Sequence, residues 1–142
     1  MTALDAFAVL AFLRGEPAAD EVGTILRSPT VLAAVNAAEV VDQLVRVFGQ
    51  DPDDVHADIA LLSRAGMEIA ATSADVGILA GRLRAAHYHR RDRPLGMADC
   101  VAAATALDGG RPLATADPAL AEMLRAEGGT VHPLPDSQGR LP

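Results

Sequence analysis

Short apolar runs alternate along the chain with longer stretches in which apolar residues recur at helical spacing. Thr2–Asp5, Thr30–Ala34, Met67–Ala71, Pro112–Thr115 and Thr130–His132 read as short strands. Helices are predicted between them: Ala6–Arg14, Glu16–Pro17 to about Arg27, Asn36 to about Phe48, Asp51 to Arg64, Ser73 to about His87, Met97–Asp108, and Pro118 to Glu127. On the third helix Val40, Leu44, Val47 and Phe48 share one face and read as core. The punctuation agrees with the periodicity. Gly49, Gly66 and Gly109–Gly110 close helices, Pro17 and Pro118 stand in first turns, and Ser73 occupies a cap position. Short apolar strands alternating with helices predict an α/β fold with a parallel sheet covered on both faces.

At 142 residues the chain is expected to form one domain, able to bury about two-thirds of its unfolded surface. That domain is placed at residues 1–134, with the polar stretch 135–142 expected to be a flexible tail. No apolar run approaches the roughly 18–20 residues of a membrane span, and Asp5 stands where an export signal would carry basic residues. A lone Cys100 cannot close an internal disulfide, so a cytoplasmic, reducing setting is expected, with Cys100 as buried packing.

Charge narrows the chemistry. All twelve basic residues are Arg, which removes every mechanism that needs a lysine. The net charge of −7 argues against broad electrostatic binding of nucleic acid, and the few aromatics, Phe7, Phe12, Phe48 and Tyr88, do not make a base-stacking platform. Five of the arginines and one acid nevertheless fall between Arg82 and Arg93, a basic patch on an acidic body. Arg90, Arg91 and Arg93 are its candidates for holding an RNA backbone, a solvated charge-balancing loop being the plain alternative. His87 and His89, two apart, do not share a helix face and are not a metal pair; surface positions are expected for them.

Four acids at element junctions carry the main question. Asp5 and Asp117 stand where strands pass into helices, Glu39 lies three residues into its helix, and Asp99 opens the helix after the basic patch. Each can be explained alone as a cap. Asn36-x-x-Glu39 and Gly96-x-x-Asp99 put an acid at the third helical position, Asp117-Pro118 is a cap with a first-turn proline, and Asp5 can cap Ala6. Jointly they mean more, because in a parallel sheet all strand-to-helix junctions lie on the carboxyl edge where ligands bind. Carboxylates gathered there repel by about 4 kcal/mol per pair at ~4 Å and an effective dielectric of about 20. Helix N-termini offset only about 0.3–1 kcal/mol each. A hard divalent cation, Mg²⁺ or Mn²⁺, offsets far more and takes oxygen ligands.

Four motifs carry a family resemblance: LDAFAVLAFLRGEP (Leu4–Pro17), AAVNAAEVV (Ala33–Val41), GMADCVAAATAL (Gly96–Leu107) and RPLATAD (Arg111–Asp117). In this order, over essentially the whole chain, they resemble the PIN-domain nucleases, and within them the VapC-like toxins of type II toxin–antitoxin pairs. The resemblance implies a three-layer α/β/α sandwich with a central parallel sheet of four to five strands. It implies a Mg²⁺- or Mn²⁺-dependent endoribonuclease whose four acids, catalytic and metal-holding, fall on Asp5, Glu39, Asp99 and Asp117. It further implies a homodimer and a small antitoxin partner. Gly96 stands where many relatives have Ser, so a capping hydroxyl beside Asp99 is missing. Thr115 keeps a hydroxyl near the site, with substrate contact or a plain strand role both open.

Two other readings are weighed. One is a PIN-fold module that binds RNA or protein without cutting. The other, a haloacid-dehalogenase-type phosphatase, needs a second acid two residues after the first, where Phe7 stands, and a lysine. The phosphatase is rejected.

Overall fold

The computed structural model describes all 142 residues. Five parallel strands, β1 (Thr2–Leu4), β2 (Thr30–Ala33), β3 (Met67–Ala70), β4 (Leu113–Thr115) and β5 (Val131–Pro133), form one sheet in the order β3-β2-β1-β4-β5. Seven α-helices connect them: α1 (Ala6–Arg14), α2 (Ala19–Ile25), α3 (Ala34–Asp42), α4 (Pro52–Arg64), α5 (Ala74–His87), α6 (Met97–Asp108) and α7 (Pro118–Ala126). The strands are short, but their alternation is sharp. Leu4, Leu32 and Ala114 point into a core shared with α1, α2, α3 and α4. Their neighbours Ala3, Val31, Ala33 and Leu113 point into a second core with α5, α6 and α7. Two cores back to back on one sheet make the expected three-layer sandwich, with five strands.

The strand order positions the site. The chain starts in the middle, winds outward through β2 and β3, and then returns to lay β4 on the other side of β1. The junction of β1 and β4 is therefore the point where the winding reverses, and the crevice outside the strand ends at such a point is where open α/β sheets bind ligands. The residues following those two strands include Asp5 and Asp117. Helix α6 comes close to the sheet because its inward positions are small: Cys100, Ala102, Ala103, Ala104 and Ala106 are all buried. Cys100 is packing, as expected, and burial chiefly, with Asp99 adding to it, lifts its thiol pKa to about 11.

Two expectations for α3 are corrected. It begins at Ala34, not Asn36, and passes after Asp42 into a π-helical turn, Gln43–Val47. The wider turn shifts the helical phase, so Leu44 stays buried while Val47 and Phe48 come out at 50% and 44% exposure. The Arg14 guanidinium stacks over the Phe48 ring. Asn36 is not a cap. It lies inside the helix, fully buried, and donates from Nδ2 to the Ala98 carbonyl in the first turn of α6 at 3.1 Å. That bond ties the helix carrying Glu39 to the helix carrying Asp99.

Helix α5 carries a glycine without a packing reason. A Cβ added at Gly81 would meet no atom within 4 Å. Gly81→Ala is therefore expected to stabilise the protein by about 0.5–1 kcal/mol. The check is a higher urea midpoint at unchanged m-value; a lowered midpoint would show that this face needs its bare backbone.

Candidate functional site

Four carboxylates reach one cleft, three delivered by the junctions at helix starts and Glu39 by the interior of α3. Asp5 follows β1 in extended conformation and caps α1, its Oδ1 accepting the Ala8 amide at 2.8 Å. Asp117 caps α7, its Oδ1 accepting the amides of Ala119 and Leu120 at 2.7 and 3.2 Å. Asp99 sits in the first turn of α6, its Oδ2 accepting the Gly96 amide at 2.9 Å. Glu39 projects from α3. Together with Phe7, Leu10 and Gln43 they line a cleft of about 310 Å³.

Thr115 binds two of these acids into one unit. It is fully buried at the end of β4, hydrogen-bonded to the Asp5 carboxyl, and its hydroxyl oxygen accepts the Asp117 amide at 3.0 Å. Its hydroxyl is enclosed and engaged with these neighbours, which favours the strand role left open beside substrate contact. Asp99 is likewise held rather than loosened by the glycine before it. A Cβ on Gly96 would come within 2.9 Å of Asp99 Oδ2, the flexible end of the side chain that folds back onto the Gly96 amide.

The electrostatics follow from crowding and burial. Asp5, only 3% exposed, has its pKa raised to about 7. Burial is the main cause, opposed by the hydrogen bonds of Thr115 and Ala8 and reinforced by the charges of Asp99 and Asp117. Burial also raises Asp99, against the Gly96 amide and with Asp117 adding to it. Glu39 is raised by burial first, then by Asp99 and Asp42. The carboxylates thus perturb one another.

Capping does not exhaust these side chains. Asp99 uses only Oδ2 and Asp117 only Oδ1 on backbone amides, leaving the other oxygen of each unengaged. Glu39 Oε2 is buried with no hydrogen-bond partner at all. As the side chains stand, no three His, Cys, Asp or Glu groups are gathered closely enough to ligate one ion. A magnesium-type cation, however, is commonly held by one or two carboxylates with waters and substrate phosphate completing its shell. An all-oxygen donor set, an orphaned buried carboxylate oxygen and the raised pKa values of Asp5, Glu39 and Asp99 fit such a cation.

The arginine candidates lie elsewhere. Arg90 and Arg91, with His89, line a separate surface pocket, and Arg93 is engaged with Glu122 of α7 at 2.5 Å. His87 is not a free surface histidine: its ring bonds Glu127, and it is largely covered. Three polar cleft residues escaped the sequence reading: Gln43, and Asp136 and Ser137 from the stretch expected to be a flexible tail. The signal for the last two was Leu134, an apolar residue past the last strand, which is fully buried and bonds from its amide to the Thr115 carbonyl at 2.9 Å.

The PIN domain family model matches residues 2–125. Among solved structures, a toxin–antitoxin complex from Klebsiella pneumoniae is similar at 16% identity over 82% of this chain and 87% of that one, with a TM-score of 0.64. VapBC2 from Rickettsia felis, bound to a DNA fragment from its promoter, is similar at 14% identity over 91% and 95%, with a TM-score of 0.68. FitAcB from Neisseria gonorrhoeae is similar at 21% identity over 92% and 96%, with a TM-score of 0.65. At these identities the likeness to the solved structures is one of fold. No curated protein matches the chain.

The raised Asp5 pKa makes a prediction with a definite sign. A carboxyl whose pKa goes from 3.8 to about 7 on folding binds its proton more tightly in the native state. Its contribution is therefore complete below pH ~4 and is lost as pH rises through about 7. Metal-free protein should thus lose thermal stability between pH 5 and 8 more steeply than an Asp5→Asn variant, and Mg²⁺ should restore the wild type most at the alkaline end. Parallel melting curves with Asp5→Asn flat and wild type equally flat would refute it.

Proposed function

The chain belongs to the PIN-domain family, and on that premise we propose that it is a Mg²⁺- or Mn²⁺-dependent endoribonuclease, the toxin of a toxin–antitoxin pair. The observation that carries this reading is the orphaned, buried Oε2 of Glu39, in a cleft shared with three aspartates from different elements. Asp5 and Asp99 would hold the cation, directly or through water, and Glu39 and Asp117 would orient its waters. Such an ion would supply positive charge against the scissile phosphate and would lower the pKa of a bound water. The protein's share is positioning. Thr115 fixes Asp5 relative to Asp117, Asn36 fixes α3 relative to α6, and the apolar walls of Phe7 and Leu10 narrow the approach.

RNA as substrate, with Arg90 and Arg91 as an exposed track for its backbone, is part of the same proposal. Arg93, tied to Glu122, holds the loop that presents them. The structural neighbours are toxin–antitoxin complexes, which supports a small antitoxin as partner. A homodimer would cover exposed apolar side chains such as Val47 and Phe48. No helix is long and apolar enough to cross a membrane, which accords with the cytoplasmic setting proposed here.

A PIN-fold binding module without cleavage is the competing reading. What favours it is that Asp5, Asp99 and Asp117 each satisfy their own helix. One experiment separates the two. Purified protein is incubated with total RNA, with Mg²⁺, with Mn²⁺ and with chelator, beside Asp99→Asn. Cleavage should require the cation and should fall in Asp99→Asn by more than the roughly 10–100-fold lost with outer-shell partners, at an unchanged circular dichroism spectrum. Full activity in Asp99→Asn would sink the assignment.

A further inference from the structure

Beyond Leu134 the chain folds into a compact turn centred on Asp136. The Asp136 amide donates to the Arg140 carbonyl at 2.8 Å, and its carbonyl accepts the Gly139 amide at 2.9 Å. Its Oδ1 accepts the amides of Gln138 and Arg140 at 2.8 and 2.9 Å. Its Oδ2 accepts the Arg140 guanidinium, from Nε and from a terminal nitrogen, each at 2.9 Å. Gly139 closes the turn at φ 79°, a conformation other residues rarely adopt. The buried Leu134, bonded to Thr115, fixes this turn to the strand that carries the centre of the acid cluster.

The turn sets a cation against a residue that lines the cleft. Asp136 and Ser137 line the cleft, and the guanidinium lies at hydrogen-bond distance from Asp136 with the Arg140 side chain 71% exposed. No basic residue lines the cleft itself, and the chain has no lysine. Of the ion pairs in the protein, only this one uses a cleft-lining acid. Such exposed pairs contribute little stability, so Arg140 can change partners at small cost.

We propose that Arg140 is a phosphate-contacting residue of this cleft, its guanidinium exchanging Asp136 for a non-bridging oxygen of an RNA phosphate next to the scissile one. The proposal rests on the ribonuclease reading above for the identity of the ligand. A forked, permanently charged donor suits phosphate oxygens and cannot lose its proton beside five carboxylates. Asp136 keeps the guanidinium in place beside the cleft lining until the phosphate arrives.

The test is fluorescence anisotropy of a labelled single-stranded RNA oligonucleotide with the full chain in Ca²⁺, beside cleavage in Mg²⁺ and Mn²⁺. Arg140→Gln should weaken binding roughly tenfold and lower the slope of log affinity against log salt by about 0.7, the loss of one phosphate contact on a single strand. Its Mn²⁺ affinity, read by calorimetry, should stay at the wild-type value. Arg140→Lys should fall between, keeping the charge without the fork. Asp136→Asn, which loses the ion pair but keeps the cation, should bind RNA at least as well as wild type. Wild-type affinity in Arg140→Gln overturns the proposal, as does tighter binding, which would make the turn an obstruction. Equal losses in Asp136→Asn and Arg140→Gln would overturn it too, since the turn's shape alone would then be at work. If the wild type binds with this pattern and never cuts, the nuclease reading fails while the Arg140 contact stands.

Discussion

The structure turns on a carboxyl group placed where a carboxylate is least welcome. Asp5 leaves the central strand of the sheet, is almost wholly buried, and faces two further aspartates at the reversal point of the strand order. An isolated buried carboxylate would neutralise itself by taking a proton. Here the Ala8 amide and the Thr115 hydroxyl oppose that tendency without cancelling it, and the group is left near the midpoint of its titration at neutral pH. Such a group is poised for whatever brings positive charge into the cleft.

Capping and metal binding are usually set against each other as explanations of an acid at a helix start. In this cleft capping uses only part of each side chain. The backbone amides of α6 and α7 take one oxygen each from Asp99 and Asp117, which fixes the carboxylate plane and leaves the second oxygen unengaged. Three helix N-termini also turn their positive ends toward the cleft, lowering the cost of the cluster without abolishing it. Glu39 differs. It comes from the interior of α3, has no amide to tie, and is the acid with a buried oxygen lacking any partner. Of the four, it is the one that capping cannot explain.

Much of this was legible from residue order. The alternation of short apolar runs with punctuated helices gives the five strands and their layers, because each stop is a local steric event: Gly15, Gly49, Gly66 and Gly110 all sit at positive φ. The four acids were legible as a set because strand-to-helix junctions share an edge in any parallel sheet. What was hidden depends on non-local contact. Asn36 reads as a cap from its spacing to Glu39, yet its amide is used 62 residues away at Ala98. The π-turn at Gln43–Val47 leaves no mark in the apolar spacing, and it turns Val47 and Phe48 outward. Thr115 was ambiguous because a strand-end hydroxyl looks the same whether it faces solvent or a buried carboxyl and a backbone amide. The stretch after Pro135 looked like a frayed end because its composition is polar, whereas the buried Leu134 just before it decides where that stretch lies.

The distribution of charge then follows one logic. The acids that face the cleft are kept free of arginine, apart from Asp136 at its rim, while Asp42, Glu16 and Glu122 elsewhere are each paired with one. Pairing an inner acid with an arginine would relieve the same repulsion that a cation relieves, and it would leave nothing for the cation to do. An enclosed ion pair is also hard to break once formed, because removing one partner strands the other in low dielectric. Leaving the inner acids crowded and the outer one paired therefore leaves the repulsion at the centre of the cleft unrelieved by the chain itself.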